Sequence, residues 1–139
     1  MSVPVANVSE GTMIPTLTKT PTTRQLVQYA GASGDFYEIH YDQALAREAG
    51  LPNVIVHGAL KSAFLAQMLT DWIGGEGVLR KLSVQYRGMD VVGEAMTCGG
   101  IVTAITDEHG LRIIECDIWT ENPEGKRTTV GTAVVELRI

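Results

Sequence analysis

The sequence predicts an α+β fold in which an antiparallel sheet of about five strands wraps around one long central helix. The helix is indicated by the segment from Ala59 to Ile73, where almost every residue is apolar or small and has to be covered on most sides. The sheet is indicated by the chain after residue 78, where apolar and polar residues alternate and glycine-containing turns separate the strands. A long apolar helix followed by such a meander favours a sheet that covers the helix.

The individual elements follow from capping residues and from breaks in the apolar period. Thr22 or Thr23 is expected to cap a first helix, which residues 31–34 end, and Asp42 is expected to cap a second helix that Gly50 closes. The predicted elements are an irregular segment over 1–15, a strand over 16–20, helices over 24–30, 43–49 and 59–73, and strands over 81–87, 95–106, 111–120 and 127–139.

Composition limits the classes of protein to consider. The 139 residues, 45% hydrophobic and 19% charged, suit a single domain over 1–139. A net charge of −5 argues against nucleic acid as a partner, because phosphate binding requires a basic face. Cys98 and Cys116 lie in alternating apolar runs and are expected to be buried thiols, and without a Cys-x-x-Cys motif we expect no metal. With no signal-peptide pattern and no membrane-length apolar run, we expect a cytoplasmic protein without membrane contact.

One short stretch, residues 34–42, concentrates the side chains that can carry chemistry. Asp35 and His40 stand five residues apart, one too many for stacked neighbours on a helix. On a loop that leaves a helix through glycines, both can turn toward one small volume, where such a pair can hold and activate a water molecule. The alternative is that Asp35 caps a following turn and His40 lies on the surface.

The run from Tyr29 to Asp42 closely resembles the hydratase signature of the MaoC-like hot-dog proteins, in which Tyr-Ala-x-x-Ser-Gly-Asp leads through Asn-Pro to His-x-Asp. Residues 55–59 and 84–94 are similar to the start of that family's central helix and to the strand that follows it. The resemblance implies a hot-dog fold and (R)-specific hydration of a trans-2-enoyl-CoA, or the reverse dehydration. Tyr37-Glu38 stands where the family has Asn-Pro, so proline does not stiffen this loop.

Carried over position by position, the resemblance makes Asp35 and His40 the catalytic pair and gives Gly58 the backbone N–H that polarises the thioester carbonyl. Such a donor suits the chemistry, because hydration builds negative charge on the carbonyl oxygen and a helix N-terminus stabilises that charge. His57 is expected to have a structural role. Apolar walls exclude water from such a site, and the residues expected to line the acyl pocket are Tyr29, Phe36, Tyr37 and Val56.

The resemblance further implies an acyl-CoA or acyl-carrier-protein thioester as substrate and no cofactor. Two other functions stay open, a hot-dog thioesterase and an assembly subunit of a heteromeric hydratase. An exposed sheet edge favours a dimer or a larger oligomer. The pattern around Asp35 resembles in particular the catalytic small subunits of steroid side-chain enoyl-CoA hydratases, which pair with a second MaoC-like subunit.

Two expectations concern side chains on or near the central helix. Position 66 is alanine where some members of the family carry a serine that assists the aspartate, and Ser62 is a candidate substitute. The scattered cations are expected on solvated faces, where some of them could meet the phosphates of CoA; they are Lys61, Arg80, Lys81 and Arg87.

Overall fold

The computed structural model describes residues 3–139 and contains three α-helices and five strands in that range. The helices are α1 (Thr23–Ser33), α2 (Gln43–Glu48) and α3 (Gly58–Ile73), and single 3₁₀ turns span Val5–Asn7 and Glu38–His40. The strands are β1 (Met13–Lys19), β2 (Gly77–Tyr86), β3 (Met96–Glu108), β4 (Leu111–Glu121) and β5 (Arg127–Arg138).

The strands form one antiparallel sheet in the order β1-β3-β4-β5-β2. Helix α3 packs against β1, β2, β3 and β4, and its buried face forms the centre of the hydrophobic core with the inner face of the sheet. Strands β1 and β2 are the two edges, and within residues 3–139 each pairs with one neighbouring strand of the sheet. The expected architecture, a sheet of five strands around one long helix, is therefore confirmed.

Strand β4 shows why the alternating pattern is a reliable signal. Ile114, Cys116 and Ile118 are buried against α3, while Glu115 and Asp117 between them are exposed. Cys98 on β3 is buried as well, and both cysteines are free thiols, as expected. Burial raises the pKa of each thiol to about 12, because the thiolate would have to leave water.

Two predictions for the N-terminal half are wrong in part. The segment predicted to be irregular up to residue 15 includes the start of β1 at Met13, while Met1 and Ser2 lie outside the described residues. Pro15 is tolerated there because the pairing with β3 shifts register between Ile14 and Leu17, at an edge strand where a missing N–H costs little.

The first helix is also longer than predicted. It begins after Thr22, whose side chain accepts a hydrogen bond from the N–H of Gln25, but it continues through residues 31–33. Gly34 ends it in the left-handed conformation, with φ +78°, which glycine adopts without strain. The second helix is capped as predicted, by the Asp42 side chain on the N–H of Leu45.

Helix α3 is covered on one face only. Leu60, Phe64 and Met68 are buried, whereas Ala59, Ala63, Gln67 and Thr70 form an exposed stripe on the opposite side. The prediction that the helix is enclosed on most sides therefore does not hold for the single chain. No helix within residues 3–139 has both the length and the apolar character needed to cross a membrane.

Lys61 contradicts the prediction of a solvated cation. Its side chain is 2% exposed, and its Nζ donates hydrogen bonds to the carbonyl oxygen of Gly88 (3.0 Å) and to Oδ2 of Asp90 (2.9 Å). The same Asp90 oxygen accepts a 2.6 Å hydrogen bond from Oγ1 of Thr128. A buried ammonium is tolerated because an opposite charge and a carbonyl dipole replace its water. The sequence gives no sign of this pairing, because the partners lie 29 residues apart.

Candidate active site

Asp35 lies just after the C-terminus of α1, which ends at Ser33. Beyond Gly34, the N–H of Asp35 donates to Oγ of Ser33 (3.2 Å), and Oδ1 of Asp35 accepts from the N–H of Tyr37 (3.3 Å). These two contacts form a compact turn in which one carboxylate oxygen is used. The side chain is 51% exposed, so its other oxygen, Oδ2, can take part in chemistry. Asp35 thus stabilises the following turn and remains accessible as well.

His40 closes the 3₁₀ turn and is buried, with 7% exposure, so the alternative of a surface histidine is wrong. Its Nδ1–H donates to the carbonyl oxygen of Ile55 (2.7 Å), and the N–H of Ile55 donates to the carbonyl of Ile39 (3.0 Å). In the neutral ring this hydrogen bond leaves the lone pair on Nε2. That atom lies 3.7 Å from Oδ2 of Asp35.

The separation of these two atoms suits a shared water molecule. At 3.7 Å the carboxylate and the imidazole do not share a direct hydrogen bond. Both atoms are acceptors, however, so one water can donate one hydrogen to each, and its oxygen lone pairs then point away from the pair. This arrangement prepares water as a nucleophile with a proton acceptor already in contact.

Hydrogen bonds hold the loop between the two residues in place of the missing proline. The Tyr41 hydroxyl donates to the carbonyl of Phe36 (2.9 Å), and the N–H of Asp42 donates to the carbonyl of Glu38 (2.7 Å). A proline at position 38 would fix one backbone dihedral angle at the start of the 3₁₀ turn. Here hydrogen bonds within residues 36–42 hold the same segment.

His57 lies behind the pair and is fully buried, with 0% exposure. Its ring stacks on His40, with centroids 3.7 Å apart and planes 19° apart, and the Tyr29 ring meets its edge at 4.9 Å. Its Nε2 lies 3.3 Å from the carbonyl oxygen of Asp35, to which it donates as Nε2–H. Burial, and secondarily the nearby His40, lower the pKa of His57 below 6.5, so the ring is neutral near pH 7. The expected structural role is consistent with this burial.

Helix α3 begins directly after His57, so its first turn starts beside this cluster. The N–H groups of Leu60 and Lys61 donate to the carbonyl of His57. Among residues 3–139, the N–H groups of Gly58 and Ala59 have no such partner, as is normal for a first helical turn. They are therefore donors that a ligand oxygen can use.

Gly58 lies against the ring of Tyr86. A Cβ added at Gly58 would stand 3.0 to 3.1 Å from three carbon atoms of that ring, so any other residue at this position would have to displace the ring. The Tyr86 hydroxyl is 2.7 Å from Oγ of Ser62. Ser62, the candidate substitute for the missing serine at position 66, is therefore paired with Tyr86 rather than with Asp35.

The predicted acyl-pocket residues differ widely in exposure. Phe36 and Tyr37 are 58% and 59% exposed on the loop of the pair. Tyr29 is half-buried against His57, and Val56 is 4% exposed in the core. Contact between these side chains and an acyl chain stays a prediction.

The cluster of Asp35, His40 and His57 also has to be considered as a metal site, because their ligand atoms lie within 4.8 Å of one another. A metal ion bonds to imidazole nitrogen in the plane of the ring, at about 2.0–2.1 Å. Two rings stacked at 3.7 Å with nearly parallel planes do not direct their lone pairs at one point. This geometry does not fit a shared metal ion.

The MaoC like domain family matches residues 6–110 of the chain. The chain belongs to this family.

Three relatives illustrate its range. Fatty acid synthase subunit beta of Gibberella zeae is 33% identical over 118 residues, which cover 84% of this chain and 6% of that subunit. The (R)-specific enoyl-CoA hydratase of Aeromonas caviae is 27% identical over 114 residues, which cover 81% of this chain and 84% of the hydratase. The 3-oxo-4,17-pregnadiene-20-carboxyl-CoA hydratase beta subunit of Mycobacterium tuberculosis is 24% identical over 97 residues, which cover 70% of this chain and 75% of that subunit. The two hydratases are hydro-lyases by name, which confirms the expected enzyme family.

Solved structures confirm the hot-dog fold. The (R)-hydratase from A. caviae superposes with a TM-score of 0.86 at 24% identity, covering 94% of this chain and 98% of that one. A chain of the ChsH1–ChsH2 complex from M. tuberculosis superposes with a TM-score of 0.81 at 23% identity, covering 94% and 98% of the two chains.

Proposed function

We propose that this chain adds water across the double bond of a trans-2-enoyl thioester to give the (R)-3-hydroxyacyl thioester, or catalyses the reverse dehydration. The observation that carries the proposal is the pair Asp35 Oδ2 and His40 Nε2, two acceptors 3.7 Å apart beside the start of α3. The (R) specificity is taken from the named activity of the A. caviae relative. The names of the fatty acid synthase and pregnadiene-carboxyl-CoA hydratase relatives differ in the acyl group, so the proposal leaves the acyl group open and supports a reaction of lipid metabolism.

In the proposed step, the water oxygen bonds to C3 of the enoyl group while its proton passes to one member of the pair. The electrons of the double bond move onto the thioester carbonyl as an enolate, which the N–H of Gly58 and the α3 dipole stabilise. A proton returned through the pair then bonds to C2, so that one water is consumed and both residues regain their starting state. Asp35 and His40 act as a unit, and either can be the formal base.

The direct test is an assay of enoyl-CoA hydration with substrates that carry linear or ring-bearing acyl chains. Hydration is measured as the loss of the ultraviolet absorbance of the conjugated thioester. Asp35→Asn and His40→Gln should each lower kcat by about 10²–10⁴-fold, the usual contribution of a general acid–base group. The chain supplies matched controls. Asp42→Asn preserves the helix cap of α2, and His109→Gln changes a histidine in an exposed turn, so both should retain turnover.

Two further readouts separate this proposal from its alternatives. Release of free CoA thiol, measured with a thiol reagent, would identify a thioesterase instead, because hydration leaves the thioester bond intact. For stereochemistry, the product should not reduce NAD⁺ in the presence of an (S)-specific 3-hydroxyacyl-CoA dehydrogenase. Wild-type hydration by folded Asp35→Asn protein would overturn the proposed mechanism.

We also propose that a second hot-dog subunit, either a copy of this chain or a related one, packs against it. Strand β2 is a sheet edge, the Ala59 and Ala63 side of α3 is exposed, and Phe36 and Tyr37 stand in solvent beside Asp35. Sedimentation of the purified chain should give a dimer or a larger particle if the partner is a copy. A monomer with little activity that gains turnover when co-expressed with a second MaoC-like subunit would identify a heteromer. A fully active monomer would exclude both arrangements.

A further inference from the structure

His57 contacts both members of the Asp35–His40 pair from behind. Its Nε2–H donates to the Asp35 carbonyl oxygen at 3.3 Å, and its ring lies face to face with His40 at 3.7 Å and 19°. It also immediately precedes Gly58, the first residue of α3. The buried His57 ring therefore touches the backbone of Asp35 and the ring of His40, and Gly58 is the next residue along the chain.

Each of these contacts restricts a different motion of the Asp35–His40 pair. The hydrogen bond fixes the Asp35 carbonyl and hence the point from which the carboxylate extends. The ring contact blocks rotation of the His40 imidazole, whose Nδ1–H is also hydrogen-bonded to the Ile55 carbonyl oxygen. Two atoms that must share one water tolerate little change in spacing, and a displacement of about 1 Å can cost about 10²-fold in rate.

Stability alone does not explain an imidazole at this position. Nδ1 of His57 is buried and has no hydrogen-bond partner among residues 3–139, and an unpaired buried polar atom is unfavourable. An apolar side chain of similar size would avoid that cost. What such a side chain would lose is the Nε2–H donor, so the function of the ring lies in its contact with Asp35.

We propose that His57 is a positioning residue that sets the spacing between the Asp35 carboxylate and the His40 imidazole without touching the substrate. The inference rests on the proposed function of the pair. It assigns to His57 a kinetic role in addition to its place in the fold.

The test uses two substitutions of nearly equal size and flexibility that differ in the donor. His57→Gln places an amide N–H where Nε2–H stood, whereas His57→Met offers none. We expect His57→Met to lose about 10²-fold in kcat at unchanged KM, and His57→Gln to recover most of that loss. Both proteins are compared at a temperature where circular dichroism shows them folded. If the Met variant does not fold, His57→Asn replaces it, because the shorter amide does not reach the Asp35 carbonyl.

A second readout separates positioning from a merely structural role. In an Asp35→Asn background, the His57→Met substitution should cost little further activity, because both changes act through the same pair. Equal turnover of the Gln and Met variants, or a full additional loss in the Asp35→Asn background, would overturn the role of His57. Absence of enoyl-CoA hydration by the wild-type protein would instead overturn the proposed function, and wild-type hydration by Asp35→Asn would overturn the proposed mechanism, so these failures can be distinguished from that of His57.

Discussion

Substitution of Gly58 by alanine tests the predicted carbonyl donor at the start of α3. The added methyl group would lie 3.0 Å from Cζ and 3.1 Å from Cε1 and Cε2 of Tyr86. Ordinary carbon contacts are about 3.5–4.0 Å, so the ring has to withdraw by roughly 0.5 Å. It can do so, because Tyr86 is 52% exposed at the end of an edge strand. Alanine also gains up to about 1 kcal/mol in helix propensity over glycine, so the free energy of unfolding should change little.

Turnover should respond much more strongly. The methyl group would stand beside the N–H that a thioester oxygen must approach to about 2.7–3.1 Å. Loss of one such donor costs about 10²–10³-fold in kcat, or about 2.7–4 kcal/mol. The assay is steady-state hydration of an enoyl-CoA, with unfolding in urea measured on the same preparation. Folded Gly58→Ala protein with the wild-type kcat would refute the assignment of this N–H.

Two controls show whether the methyl group itself is responsible. Gly31→Ala, in α1, adds a methyl with no atom within 4 Å and should raise stability slightly without changing turnover. Gly58→Ala combined with Tyr86→Ala removes the ring that the methyl would displace. If that double variant regains activity, displacement of Tyr86 caused the loss and the carbonyl explanation is wrong.

Three other predictions concern buried groups. Lys61→Met should lower the free energy of unfolding by about 3–5 kcal/mol, because it leaves Asp90 buried without a counter-charge; urea unfolding measures this, and Lys61→Met combined with Asp90→Asn should recover part of it. Because burial lowers the pKa of His57 below 6.5, the unfolded chain binds that proton first as the pH falls, so stability should be lost below about pH 6.5. Urea unfolding at several pH values should show a weaker loss for His57→Gln, and equal slopes would contradict the explanation. Burial raises the thiol pKa of Cys98 and of Cys116 to about 12, so both should react with iodoacetamide only after unfolding. Rapid labelling of the folded protein, detected by mass spectrometry, would disprove this prediction.

The sequence was a good guide wherever the signal is local. Thr22 and Asp42 cap their helices as expected, because a capping side chain bonds to an N–H three residues away. The strands after residue 78 follow an alternation that needs only one buried face. The predictions failed where a distant partner decides the outcome, as at Pro15, which a bulge against β3 accommodates.

Lys61 shows the same limit within the central helix. A lysine in an apolar helix normally extends into solvent, and its burial depends on Asp90 arriving from another part of the fold. Neither residue predicts the other, because the energy of an ion pair depends on a separation that the order of residues does not encode.

The sequence by itself determined the kind of fold, the loop that carries Asp35 and His40, and the resemblance that implies a hydratase. Residue types and short spacings are sufficient for these, since periodicity and turn chemistry act over a few residues. Only the tertiary structure decided that Oδ2 and Nε2 stand 3.7 Å apart and that His57 is stacked behind His40. Ile55 and His57 reach this loop from the segment at the start of α3, and the proposed chemistry depends on distances that these tertiary contacts help to set.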